Sequence, residues 1–159
     1  MFQIIKFNFY VSIITFTFIL GYCYASYSYN ICDKSLLKGS LNSVNISNCD
    51  PDLTDKCIFK KGQNVTITVS FTSHETVDYL KVKIYGIIMG LPIPWPVFPD
   101  DACMRGIQCP IANNSVNTFN LSMPVSTTYP SIPVNVRLRL EDRLRNPYLC
   151  VQFPAKLES

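Results

Sequence analysis

The run VNVRLRLE, Val134–Glu141, switches between apolar and polar residues at every step. Successive side chains of a strand point to opposite faces. Val134, Val136, Leu138 and Leu140 therefore share one face, and Asn135, Arg137, Arg139 and Glu141 share the other. A helix would scatter both sets around its circumference. The same period of two recurs on either side of this run. In Asn64–Thr72, Val65, Ile67, Val69 and Phe71 alternate with Thr66, Thr68 and Ser70. In Asp78–Ile84, Leu80, Val82 and Ile84 alternate with Tyr79, Lys81 and Lys83. Ser40–Ser47 sets Val44 and Ile46 against Asn45, and Asn117–Val125 sets Phe119 and Leu121 against Asn120. Tyr148–Leu157 sets Leu149, Val151 and Phe153 against Cys150 and Gln152. Turn-forming clusters separate the runs at Lys60–Gln63, Ser73–Glu75, Asn113–Ser115 and Arg145–Pro147. Six or seven short strands with turns between them, and no long helical pattern, predict an all-β antiparallel sandwich.

None of these strands places an ionisable residue on its apolar face. The interior is hydrocarbon throughout, with Phe71, Trp95, Phe119 and Phe153 as its bulky members. Such a face can form a filled core, or the sheets can splay to hold a lipid. The alternation fits both arrangements.

One segment breaks the pattern: YGIIMGLPIPWPVFPDDACMRGIQCP, Tyr85–Pro110. Pro92, Pro94, Pro96 and Pro99 have fixed φ and no N–H, which bars them from the middle of a sheet. The apolar residues between them, Ile87 to Phe98, do not suit an ordinary solvated loop. Two readings fit: a stiff apolar lip where a greasy ligand enters or docks, or a loop packed down on the core. Within this segment Ile88, Met89, Gly90, Leu91 and Ile93 form a candidate patch for contact with a membrane or a partner protein.

The 159 residues suffice for one domain with a modest core. Residues 1–25 read as a secretory signal, with Lys6 in the basic region, Phe9–Leu20 as the apolar stretch, and Cys23-Tyr24-Ala25 before the cleavage point. The apolar stretch is shorter than the roughly 20 residues a membrane span needs. A mature chain beginning near Ser26, secreted or lumenal (extracellular or lysosomal), is expected. Removing Cys23 leaves Cys32, Cys49, Cys57, Cys103, Cys109 and Cys150, an even set in an oxidising compartment. Spacing favours two local clips, Cys49–Cys57 and Cys103–Cys109, with Cys32–Cys150 joining the ends of the domain. Four glycosylation sequons, at Asn45, Asn64, Asn113 and Asn120, agree with passage through the secretory pathway. Asn45, Asn64 and Asn120 fall on the polar faces of their strands.

Several function classes find no support. A net charge of +3 is too small to argue for nucleic acid. There is no C-x-x-C pair and His74 is the single histidine, so no metal site and no cofactor is expected. Without a G-x-S-x-G elbow or a phosphate loop, nothing supports an enzyme. Arg137, Arg139, Arg143 and Arg145 read as a solvated strand face. Asp100 and Asp101 read as caps of the loop before Cys103.

Four runs taken together carry a resemblance: GIIMGLPIPWP, CMRGIQCPI, PVSTTYPSIPV and LEDRLRNPYLCVQFP. With the order of the six cysteines, they resemble the ML-type lipid-recognition family, which includes sterol carriers and mite group-two allergens. The similarity spans about Cys32 to Phe153. It implies that residues 26–159 form an immunoglobulin-like sandwich of about seven strands, with an apolar pocket between its sheets. In the family's sterol carriers, an aromatic in the proline loop, a valine after the next proline and the tyrosine of Y-P-S line the pocket mouth. Matched by motif, these are Trp95, Val125 and Tyr129, with Trp95 standing where the carriers have phenylalanine. The resemblance also implies the same cysteine pairing. The implied function is carriage of a sterol such as cholesterol and its transfer between membranes or to a membrane-bound sterol transporter. A lipid-sensing module of the same fold, binding fatty acid or phospholipid, is the alternative. The expected partners are the lipid and a transient membrane contact, with the chain acting as a monomer.

Overall fold

The computed structural model describes residues 29–32, 34, 37–49 and 56–159. The signal segment expected at 1–25 lies outside the described residues. Nine strands form among those described: β1 (Asn30–Ile31), β2 (Gly39–Ile46), β3 (Cys57–Lys60), β4 (Asn64–Ser73), β5 (Lys81–Ile88), β6 (Leu91–Trp95), β7 (Val116–Pro124), β8 (Pro133–Glu141) and β9 (Pro147–Glu158). They make two packed sheets. The smaller runs β2-β4-β7, and the larger β1-β9-β8-β5-β6 with β3 also beside β9. All pairings are antiparallel except β3 with β9, which is parallel. Among the described residues no helix is long and apolar enough to cross a membrane.

The alternation read from the sequence is the burial pattern of β4, β7 and β8. Val65, Ile67, Val69 and Phe71 of β4, Phe119 and Leu121 of β7, and Val134, Val136, Leu138 and Leu140 of β8 are all buried. Three departures have physical causes. First, β5 begins at Lys81 rather than Asp78 and continues to Ile88, past the end of the alternating window. Second, β2 slips register between Leu41 and Ser43, a bulge that frees its pairing from strict alternation. Third, β9 is buried at every residue from Tyr148 to Val151. There Cys150 is tied to Cys32 and Tyr148 packs its ring edge-on to Phe71, centroids 6.1 Å apart. The Tyr148 hydroxyl bonds to Ser73 Oγ and donates to the Glu75 carbonyl, so the buried polar atom has partners.

Three strands were not legible as strands. β1 has two residues and β3 has four, too few for a period to show. β6 contains Pro92 and Pro94 but lies at the sheet edge, paired to β5 alone, where prolines are tolerated. The rule that bars proline from a sheet centre holds; the segment forms a strand because it is an edge.

Disulfides join Cys32 to Cys150, Cys49 to Cys57 and Cys103 to Cys109, with sequence separations of 118, 8 and 6. Loop-closure entropy makes the first the most stabilising. Replacing Cys32 and Cys150 by alanine is expected to cost about 5 kcal/mol in urea unfolding, against about 2 kcal/mol for Cys103 and Cys109. Equal losses would show that native strain, not chain entropy, sets their contributions.

Candidate functional site

The β5–β6 hairpin turns through Met89 and Gly90, both with positive φ, at 51° and 83°. Ile88 faces Leu91 across the turn. A two-residue hairpin turn of this hand matches the strand twist and favours Asn-Gly. Methionine at its first position is a strained choice, and its side chain is 97% exposed. Leu91 beside it is 66% exposed. The chain thus gives up turn propensity and places two large apolar side chains in water at one tip.

Behind that tip lies a cavity of about 160 Å³. Its walls come from the hairpin (Gly86, Ile88, Ile93, Pro94, Trp95), from Tyr129, Pro130 and Ile132 of the β7–β8 connection, and from Val134 and Leu157. Register explains the hairpin's share. Ile84 faces Trp95, Gly86 faces Ile93 and Ile88 faces Leu91, so Ile88, Ile93 and Trp95 all lie on the inward side. At Gly86 a Cβ would sit 3.1 Å from Val134 Cγ2, so the glycine leaves the wall free of a crowding methyl.

Trp95 is the floor of the site. Its indole meets the Tyr129 ring edge-on at 5.6 Å and the Phe59 ring at 6.4 Å, favourable edge-to-face geometries. The 126–132 segment is fastened at both ends. Val125 N–H donates to the Gln63 carbonyl at 2.9 Å and its own carbonyl accepts from Gly62 at 2.7 Å. At the other end the Leu157 N–H donates to the Ile132 carbonyl at 3.0 Å. Between them a turn closes with a 2.8 Å bond between the Ser126 and Thr128 hydroxyls.

Of the three residues expected at the pocket mouth, Trp95 and Tyr129 meet in the cavity wall. Val125 does not line it; it is buried in the core as the anchor of the bordering segment. The expected docking patch divides: Met89, Gly90 and Leu91 form the exposed tip, Ile88 belongs to the cavity wall, and Ile93 lines the cavity while 51% exposed. Gly86, Ile132, Val134 and Leu157 were not singled out from sequence as lining residues. Ile132 could have been, since it directly follows the Y-P-S motif. The cavity lies at one edge of the sandwich, because the space between the sheets is filled by Phe59, Phe71, Phe119 and Phe153.

The four sequon asparagines are exposed. Asn45, Asn64 and Asn120 lie on the smaller sheet and Asn113 in the loop leading to it; none of that sheet's three strands carries a charged residue. Charge collects instead on the outer face of the larger sheet. Lys81 Nζ lies 2.8 Å from Asp100, which is held below the usual carboxylate range by that hydrogen bond.

A profile of the ML domain family matches residues 26–157. The chain belongs to the ML domain family. It is 35% identical over 121 residues to the cattle protein named NPC intracellular cholesterol transporter 2, covering 76% of this chain and 79% of that one. It is 31% identical over 145 residues to an ecdysteroid-regulated 16 kDa protein of Manduca sexta, covering 91% and 97%. The crystal structure of a Niemann–Pick type C2 protein from the Japanese carpenter ant shares the fold, with a TM-score of 0.76 and 22% identity over 82% of this chain and 99% of that one.

Among the described residues, no carboxylate, imidazole or amine lines the cavity of this ML domain. Binding of a neutral apolar probe is therefore expected to change less than about twofold between pH 7.5 and pH 5. Stability should be similarly flat in that window. Burial pushes Asp142 up, but hydrogen bonds from Asn146 and Leu144 and the nearby Lys38 outweigh it and leave its pKa lowered. Asp100 is lowered as well. Stability from a lowered carboxylate is complete above the unfolded value of about 3.9 and is lost as pH falls through the folded value. Probe titrations and melting curves at the two pH values check this, and a tenfold change in affinity would place a titrating group in control of the site.

Proposed function

We propose that the protein is a secreted or lumenal lipid carrier that takes a sterol such as cholesterol into the cavity beside Trp95 and hands it over at the Met89–Leu91 tip. The observation that carries this reading is the uncharged, hydrocarbon-lined cavity directly behind an exposed apolar hairpin. The cattle relative, named as a cholesterol transporter, supports a sterol as the ligand.

The energetics suit a carrier. Enclosing a sterol removes on the order of 400 Å² of apolar surface from water, worth about 10 kcal/mol before association costs. That is enough for useful affinity without a charged anchor and without catalysis. Tyr129, the one side chain in the wall with a hydroxyl, offers a partner to a ligand alcohol. A cavity of about 160 Å³ is close in size to one that takes benzene, so a sterol must enlarge it. The borders that would yield are an edge hairpin, bonded to the sheet on one side only, and a segment fastened chiefly at its ends. Enlargement inward brings Val125 into the wall. Release at the tip keeps the ligand out of water, with the exposed Met89 and Leu91 touching the acceptor membrane or a membrane-bound transporter.

The single tryptophan makes the test direct. Sterol added to delipidated protein is expected to shift Trp95 emission with one-to-one stoichiometry, and mass spectrometry of the secreted protein should recover the same lipid class. Val134→Phe, which fills the cavity at a cost of about 1–3 kcal/mol in stability, should weaken binding at least tenfold. Recovery of fatty acid or phospholipid in place of sterol would move the protein to a sensing role; recovery of nothing, with no emission change, would sink the carrier reading.

The tip is tested separately. Met89→Asn suits the turn and should raise stability by about 1 kcal/mol. It should leave sterol affinity within twofold and slow transfer to vesicles about tenfold. Unchanged transfer would remove the tip from the mechanism.

A further inference from the structure

The outer face of the larger sheet carries a second concavity, of about 700 Å³, on the opposite side of the sheet from the core. Five cations line it, Lys81 and Lys83 from β5, Arg139 from β8, and Arg143 and Arg145 from the β8–β9 turn, against the carboxylates of Glu141 and Asp142. Tyr79 and Tyr85 complete its sides.

Two features of this groove work against folding. Lys83 and Arg139 stand directly opposite each other across the β5–β8 ladder, a like-charge pair that destabilises a sheet. The nearest relief for Lys83 is Asp100 at 3.6 Å, but that carboxylate is engaged by Lys81 at 2.8 Å. Arg139 has its Nε buried without a hydrogen-bond acceptor, 3.5 Å from Glu141 Oε1. A buried donor left unpaired is costly. An anion in the groove offsets the like charges of Lys83 and Arg139.

The rest of the groove is held ready. Asp142 Oδ1 accepts from the backbone N–H of Leu144 and Asn146 at 2.9 and 2.8 Å, and Oδ2 accepts from Asn146 Nδ2 at 2.9 Å. These bonds fix the turn that presents Arg143 and Arg145, and the Asp142 carboxylate also pairs with Lys38 at 3.7 Å. The Arg143 guanidinium lies 5.0 Å from the Tyr79 ring centroid, a cation–π contact that orients it.

We infer that this groove binds a chain of sulfated or carboxylated sugars. The cations form a track from the turn along β5, and a linear polyanion pairs with such a track by displacing counterions. Tyr85 adds an aromatic wall for a sugar ring, while the Tyr79 face carries the Arg143 guanidinium. A peptide strand is disfavoured, because β5 and β8 are each paired on both edges and leave no ladder to extend. A bilayer is disfavoured because the face is concave. The apolar tip at Met89 also lies six residues along from Lys83, roughly 20 Å at strand rise. Three of the four sequon asparagines sit on the other sheet and Asn113 in the loop leading to it, so glycans at those three would leave the groove clear.

The test is fluorescence anisotropy of a size-defined, fully sulfated heparin hexasaccharide titrated with the secreted protein at about 150 mM salt. Binding is expected to weaken at least tenfold in R143E/R145E, with a shallower salt dependence, while Lys60→Glu changes it less than twofold. Lys83→Gln should weaken binding and leave the melting temperature equal or higher, since it removes the like-charge pair. Sterol-induced Trp95 emission should be unchanged in all variants, which separates this site from the cavity. Absence of hexasaccharide binding, or equal losses from Lys60→Glu and R143E/R145E, would overturn the inference. So would binding of phosphatidylserine vesicles with this variant dependence when the hexasaccharide does not bind.

Discussion

A chain of edge-on aromatic contacts runs from the middle of the sandwich to its surface: Phe153 to Phe59, Phe59 to Trp95, Trp95 to Tyr129. Each ring belongs to a different part of the chain: β9, β3, β6 and the β7–β8 connection. The contact between Phe59 and Trp95 is the hinge of this arrangement. On one side of it the space between the sheets is filled by large rings; on the other begins the cavity. If Trp95 were smaller, the core would lose its end wall and the hairpin its purchase on the sheet. The filled core and the cavity thus share one residue, and neither is an addition to the other.

This arrangement accounts for what the sequence disclosed. Long alternating strands bury one face and wet the other, so β4, β7 and β8 were legible from periodicity alone. Phe59 was not, because β3 is four residues long and becomes a strand only by lying parallel to the end of β9. Tyr148 broke the pattern for a comparable reason, since its hydroxyl is satisfied by Ser73 and Glu75, residues distant in sequence. At the cavity, Trp95 and Tyr129 were named through motifs, whereas Gly86, Val134 and Leu157 read as ordinary strand residues. What makes them lining residues is the absence of a side chain at Gly86, and an absence has no periodicity. Val125 sits where the motif places it in the chain, yet its backbone is spent on anchoring Gly62 and Gln63.

The two outer faces of the sandwich divide the chemistry left over from the core. The strands of the smaller sheet carry hydroxyl and amide groups and no charge, and three of the four sequon asparagines lie on them. The larger sheet gathers the lysines and arginines. Such segregation does nothing for the hydrophobic core, which is uniform across both sheets. Opposite charges interspersed on a sheet stabilise it through cross-strand pairs, whereas Lys83 opposite Arg139 does the reverse. The same ladder sets Lys81 opposite Glu141, a stabilising pair, so the repulsion is confined to the step between Lys83 and Arg139.

An exposed apolar hairpin on a sheet edge is ordinarily an aggregation hazard, because its unpaired backbone groups template another strand. Pro92 and Pro94 answer that hazard. On an edge strand proline is tolerated where its missing N–H would point outward, so alternate positions along β6 have no donor to offer an incoming strand. The ring also fixes φ, which limits the loss of order where half the pairing is absent. The prolines first read as incompatible with a sheet are therefore what permits this strand to end one. They let Met89 and Leu91 stay in water without inviting a second copy of the chain to pair along the same edge.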